Sequence, residues 1–207
     1  MTSANELRRR AREALGGNIF KSPWLYALVV VIIATAITSI GSLVPLASLL
    51  LIGPVAVASC AYFLNRARRK IEYDNLEILF DGVKSDIGES IVTGILVSVF
   101  TFLWTLLFII PGIVKAYAYS MTYYIRLDHP EYTPSQAITE SRRLMDGNKM
   151  RLFYLHLSFI GWIIVGCLTF GIGLLWVAPY MSAATAEFYQ ALVSGKDGIE
   201  APFVEVK

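Results

Sequence analysis

Polar and apolar residues in this chain are segregated into long blocks. The run 24–65 contains no charged side chain, and neither does the run 90–114. From 152 to 190 the permanently charged candidate is Glu187, accompanied by the ionisable His156, Cys167, Tyr154, Tyr180 and Tyr189. A helix needs about 20 apolar residues to cross a bilayer, so each of the first two runs has room for up to two passes. Backbone polar groups in lipid must be paired within the segment, and the lack of strict alternation favours helices over barrel strands. The pattern predicts an all-α polytopic transmembrane helical bundle of about six crossings. They fall near 23–41, 46–65, 89–110, 112–127, 152–170 and 174–193, and the fourth is short.

Orientation follows from the cations. Arg8, Arg9, Arg10, Arg12 and Lys21 precede the first crossing, and Arg66, Arg68, Arg69, Lys70 and Lys84 follow the second. Arg126, Arg142, Arg143, Lys149 and Arg151 occupy the next polar stretch, with Lys196 and Lys207 in the tail. The connections 41–45, 110–112 and 170–173 carry no charge. Positively charged short loops stay cytoplasmic, so three hairpins leave and re-enter the cytoplasm and both termini lie there.

The polar segments repeat. Ala14-Leu15-Gly16-Gly17-Asn18, Leu79-Phe80-Asp81-Gly82-Val83 and Leu144-Met145-Asp146-Gly147-Asn148 are related by a shift of 65. Ser3 with Glu6, Asp74 with Glu77, and Thr133 with Gln136 have capping-box spacing, the last followed by Pro134 at the first helical position. Gly17, Gly82 and Gly147 are then the expected helix stops, at the left-handed position after the C-cap. Leu7, Ala11, Ala14 and Leu15 line one face of the first such helix, and Ala137, Ile138, Ser141, Leu144 and Met145 line that of the third. These helices are expected to lie in the cytoplasmic interface, apolar face in the acyl boundary and cations toward anionic head groups. Each return crossing carries a proline: Pro54, Pro111 and Pro179. The chain therefore reads as a single integral membrane domain, 1–207. It comprises three parallel two-helix repeats (1–70, 71–130 and 131–195), each preceded by a cytoplasmic amphipathic interfacial helix, and a polar tail, 196–207.

Composition adds exclusions. With 56% hydrophobic and 16% charged residues among 207, the chain lacks the roughly one-quarter charged content of soluble domains. A net charge of +2 gives no reason to expect a nucleic-acid partner. Cys60 and Cys167 sit in apolar runs and imply no disulfide framework. The apolar run begins only at Trp24 and no small-residue cleavage site precedes a polar domain, so no cleavable signal peptide is read. Gly-x-Ser-x-Gly, P-loop and His-Glu-x-x-His motifs are absent, and two isolated histidines, His129 and His156, offer no metal site; no cofactor is expected.

Candidate chemistry lies at membrane depth, where charges are costly and become functional suspects. Glu187 and His156 have similar expected depth and are read as a candidate buried pair. Lys115 follows Pro111-Gly112 and is expected to snorkel to the outer interface. Tyr117, Tyr119, Tyr123 and Tyr124 form a candidate aromatic groove, with belt or packing roles as the simpler alternative. The small-residue pairs Gly94/Ser98, Ala116/Ser120 and Ser182/Ala186 favour close helix contact, inside the bundle or across an oligomer face.

Two segments carry a family resemblance. Residues 141–149 (Ser-Arg-Arg-Leu-Met-Asp-Gly-Asn-Lys), Leu152-Phe153, Leu157-Ser158-Phe159-Ile160-Gly161-Trp162, Thr169–Gly173 and Pro179-Tyr180 form one. Pro111-Gly112-Ile113 with Tyr117–Met121 forms the other. Together they resemble an uncharacterised family of bacterial integral membrane proteins, a domain of unknown function, over nearly the whole chain. The resemblance implies a helical bundle in the bacterial plasma membrane and transfers no activity. The leading expectation is a non-enzymatic scaffold or accessory component in contact with membrane lipids and with a membrane-protein partner or a second copy. The alternative is a small-molecule or lipid transporter with a site inside the bundle.

Overall fold

A computed structural model describes residues 3–16, 22–41, 45–68, 87–107, 109–169, 171 and 173–195. The described residues are helical, without strands. The helices are α1 (Ala4–Ala14), α2 (Ser22–Gly41), α3 (Pro45–Ala67), α4 (Ile87–Leu107) and α5 (Ile109–Tyr119), followed by α6 (Thr122–Asp128), α7 (Pro134–Leu144), α8 (Lys149–Leu157), α9 (Ile160–Leu168) and α10 (Leu174–Val193). The second expected amphipathic segment, with Asp74, Glu77 and the stop Gly82, lies outside the described residues.

Local chemistry sets the ends of the amphipathic helices. Ser3 Oγ accepts from Glu6 N at 3.2 Å, starting α1. Glu6 does not complete the box; its carboxylate goes to Arg9 and Arg10, at 2.8 and 2.9 Å. Thr133 and Gln136 form the full reciprocal box, with Pro134 opening α7. The left-handed residue after α1 is Gly16, at φ +86°, while Gly17 lies outside the described residues. After α7 it is Gly147, at φ +74°, two residues past the cap residue Met145. The glycines at these two ends are thus offset by one in the 65-residue register.

Two expected crossings are each broken into two helices. The segment 112–127 divides between α5 and α6 at Ser120–Met121, and 152–170 divides between α8 and α9 at Ser158–Phe159. The two breaks share a local bond. Ser120 Oγ donates to Tyr117 O at 2.8 Å and Ser158 Oγ to Leu155 O at 2.6 Å, so a hydroxyl bonds the carbonyl three residues back at the point where the ladder fails.

Three stretches are long and apolar enough to cross a membrane: Leu50–Ala67, Ile87–Leu106 and Lys149–Leu168. Pro23–Ser39 is a shorter apolar helix. Burial is lopsided along these helices. Trp24, Ala27 and Val30 of α2 and Val57 and Ala61–Leu64 of α3 contribute the core at the ends nearest the charged segments, whereas α10 contributes along most of its length, from Val177 to Leu192. The far ends are bare, with Leu106, Ile110 and Leu168 72, 76 and 77% exposed. An exposed apolar surface of this extent belongs against lipid or another protein.

The amphipathic helices depart from their expected placement. Leu7, Ala11 and Leu15 are buried against α10 and α3, and α7 turns Ala137, Ile138, Ser141 and Leu144 onto the bundle, chiefly α4, α5 and α6. Polar anchors fix both. Arg66 Nε donates to Ala14 O at 2.9 Å, Tyr180 Oη to Arg8 O at 3.1 Å, and Ser141 Oγ to Ala118 O at 2.8 Å. The apolar faces are therefore occupied by protein and not by acyl chains. Burying Leu7 and Leu15 alone is worth about 1.5–3 kcal/mol each.

Candidate functional site

The residues expected at membrane depth are distributed over separate sites. His156, on α8, bridges three helices. Its Nδ1 lies 3.3 Å from the Tyr117 hydroxyl and its Nε2 3.2 Å from Thr185 Oγ1. The Thr185 hydroxyl donates to Met181 O at 2.9 Å, so it accepts from His156. A neutral imidazole protonated on Nε2 then receives the Tyr117 O–H at Nδ1, satisfying both nitrogens. Tyr117 also stands edge-on to Phe153 at 6.0 Å. This cluster joins α5, α8 and α10.

Glu187 is not the partner of His156. It is buried, 6% exposed, and opens on a cleft of about 710 Å³ between α1, α3 and α10. Arg9, Arg10 and Arg68 line the same cleft. The reason is helical geometry: Thr185 takes the His156 contact, and a residue two further on points to the opposite side of α10.

The four tyrosines face different partners. Tyr117 goes to His156, Tyr119 packs beside Phe100 at 6.4 Å, Tyr124 stacks on Tyr189 at 5.1 Å, and Tyr123 is half-buried. The break at Ser120–Met121 interrupts the seven-residue periodicity that would have set Tyr117 and Tyr124 on one face. Instead Tyr124 and Tyr189 cap a buried polar network, in which Tyr189 Oη donates to Asp128 Oδ2 at 2.8 Å and Arg68 pairs with the same carboxylate. Arg126, also buried, joins Glu89 and the Tyr132 carbonyl. Sequence reading counted Arg126 as an orienting charge at the end of the fourth expected crossing and did not single out Asp128; both fall one helical turn or less from the apolar stretch 116–125.

Lys115 lies over the Trp104 ring, Nζ 4.4 Å from its centroid, and lines a groove with Arg142 and Lys149. It therefore faces the cationic α7 region. Among the described residues, no group of three or more His, Cys, Asp or Glu could hold a metal ion.

Residues 106–196 match the family described as "Protein of unknown function (DUF975)". Both segments that carried the resemblance, around Pro111 and from Ser141 to Tyr180, fall inside that match, which spans less of the chain than the resemblance implied. No curated protein and no solved structure matches the chain. The match covers α5 to α10 and so includes His156, Glu187, Lys115 and the tyrosines.

Proposed function

We propose that this chain is a non-enzymatic integral membrane protein of the bacterial plasma membrane, acting as a scaffold or accessory component. Three apolar hairpins, six passes in all, enter from the cytoplasmic side, where both termini and the charged loops remain. The reading rests on the filled centre. Tyr62, Met121, Ile125, Leu152, Leu155, Phe188 and Tyr189 are at most 1% exposed where the helices meet. A transport site needs a cavity that polar groups line and that opens to one side. Here His156 and Asp128 are engaged by Tyr117, Thr185, Arg68 and Tyr189, and the polar cleft that Glu187 lines is walled by the charged residues of α1 and by the C-terminal ends of α3 and α10, not by the middle of the bundle.

Affinity purification of the full-length protein from native membranes tests the reading. A reproducible stoichiometric protein partner is expected. Recovery of the chain with a bound small molecule and no protein partner would overturn the scaffold role in favour of transport.

A further inference from the structure

The groove between α5 and α7 has a composition that packing does not explain. Its volume is about 590 Å³, and four cations, Lys115, Arg142, Arg143 and Lys149, line it against one carboxylate, Asp146. Two of these cations are committed elsewhere: Arg143 Nε donates to Glu140 at 2.9 Å, and Lys149 reaches Asp146 at 3.4 Å. Among the described residues, Lys115 and Arg142 have no carboxylate partner. Like charges held on one concave wall repel, and that cost is relieved when an anion binds between them.

The surroundings specify the anion further. Immediately beside Lys115, the α5 surface is apolar and bare: Ile110, Ile113 and Val114 are 76, 50 and 45% exposed. A ligand that satisfies both surfaces carries a phosphate at one end and hydrocarbon at the other. We propose that this groove binds a phosphate group, with Lys115 and Arg142 as its principal contacts, and that the occupant is the head group of one anionic phospholipid whose acyl chains run along α5. The assignment rests on the membrane reading above and adds to it a defined stoichiometric site. It also gives Lys115, whose ammonium lies over the Trp104 ring, an anionic partner at a position where a cation is costly.

The test uses the full chain in detergent, titrated with phosphatidylglycerol, phosphatidylcholine or inorganic phosphate, with one-to-one adducts scored by native mass spectrometry. Phosphatidylglycerol should bind one per chain. Lys115→Gln with Arg142→Gln should weaken it roughly 30-fold, about fivefold per cation. Arg142→Lys, which keeps the charge, should restore most of it, and Arg9→Gln, outside the groove, should leave it unchanged. Displacement of the lipid by an equal concentration of inorganic phosphate would support the phosphate site and overturn the lipid as its occupant. An adduct indifferent to the double substitution would overturn the site itself. Flotation on phosphatidylcholine vesicles separates the two readings. Wild-type protein that fails to float sinks the membrane reading, whereas protein that floats but keeps its adduct in the double variant sinks only the groove.

Discussion

Helices α3 and α4 approach one another glycine on glycine. A Cβ placed at Gly53, on α3, would fall 1.8 Å from Ser90 O and 2.7 Å from its carbonyl carbon; one placed at Gly94, on α4, would fall 2.5 Å from Gly53 Cα and N. Every obstacle is backbone, so no side chain can swing aside. Restoring ordinary contact at Gly53→Ala requires α3 and α4 to separate by roughly 1.6 Å, and overpacking of this kind costs about 1–3 kcal/mol or more. The helix-propensity gain of alanine over glycine, about 1 kcal/mol, opposes it. A net loss of about 2 kcal/mol corresponds to a Tm drop of roughly 4–8 °C for a chain of this size. Thermal unfolding of the detergent-purified protein should show that drop for Gly53→Ala and for Gly94→Ala. The double variant should lose less than the sum, because one separation accommodates both methyls. Gly161→Ala, with nothing within 4 Å of its new Cβ, is the control and should be neutral or slightly stabilising. If Gly53→Ala and Gly94→Ala behave like Gly161→Ala, the α3–α4 packing described above is wrong.

Three further outcomes follow from the network, the first helix and the hairpin tips. Tyr189→Phe removes the part-buried hydrogen bond to Asp128 and should cost about 1 kcal/mol, while Asp128→Ala takes the shared carboxylate from both Tyr189 and Arg68 and should cost about 2 kcal/mol, Gln190 still meeting Arg68; equal losses in thermal unfolding would contradict the shared carboxylate. Hydrogen bonds from Arg9 and Arg10 depress the Glu6 pKa from 4.5 to about 2. Because the folded value is the lower one, the contribution of Glu6 to holding α1 is present above pH 4.5 and is lost as the pH falls through about 2. An NMR titration placing the Glu6 carboxyl near 4.5 would remove it. A single cysteine introduced as Gly171→Cys, with Cys60 and Cys167 replaced by serine, should react in intact cells with a membrane-impermeant maleimide; labelling only after permeabilisation would show that the third hairpin does not emerge.

Much of the architecture was legible because it follows from local chemistry. The Thr133–Gln136 box with Pro134 is a contiguous signature, and α7 starts where it falls. The last helix, expected over 174–193, is α10 with those bounds because an apolar run ended by Ser194-Gly195 leaves little choice. What could not be read was which groups meet. The break at Ser120 coincides with a hydroxyl bonding the carbonyl three residues back, a bond that Thr38 also makes inside the unbroken α2, so a serine or threonine in the sequence does not by itself mark a break. That break then scattered the tyrosines. Glu187 and His156 matched in depth but not in azimuth, and depth is all that a hydropathy pattern supplies.

The amphipathic helices show the same gap between pattern and placement, with a consequence for the membrane. An amphipathic face reads identically whether it will meet lipid or protein. Here α1 met α10, and its Arg8 Nη1 donates to Ser158 O at 3.1 Å, at the base of α9. Beyond that contact α9 offers nine residues, about 13 Å of rise against a hydrocarbon core of about 30 Å. Helix α4, by contrast, has 21 residues and about 31 Å. Lys149–Leu168 is long enough to cross only as α8 and α9 together, and Arg8, half-buried, sits at the joint between them, where an arginine near membrane depth is costly unless its donors are satisfied; one of them goes to Asn5 Oδ1. The carbonyl of Ser158, released from the ladder by the break at that residue, supplies one such acceptor. The half-buried arginine thus satisfies the carbonyl that the break exposes, and Arg8→Met should remove that one bond, about 1 kcal/mol in thermal unfolding, while Tyr180 and the apolar face of α1 still hold α1 to α10.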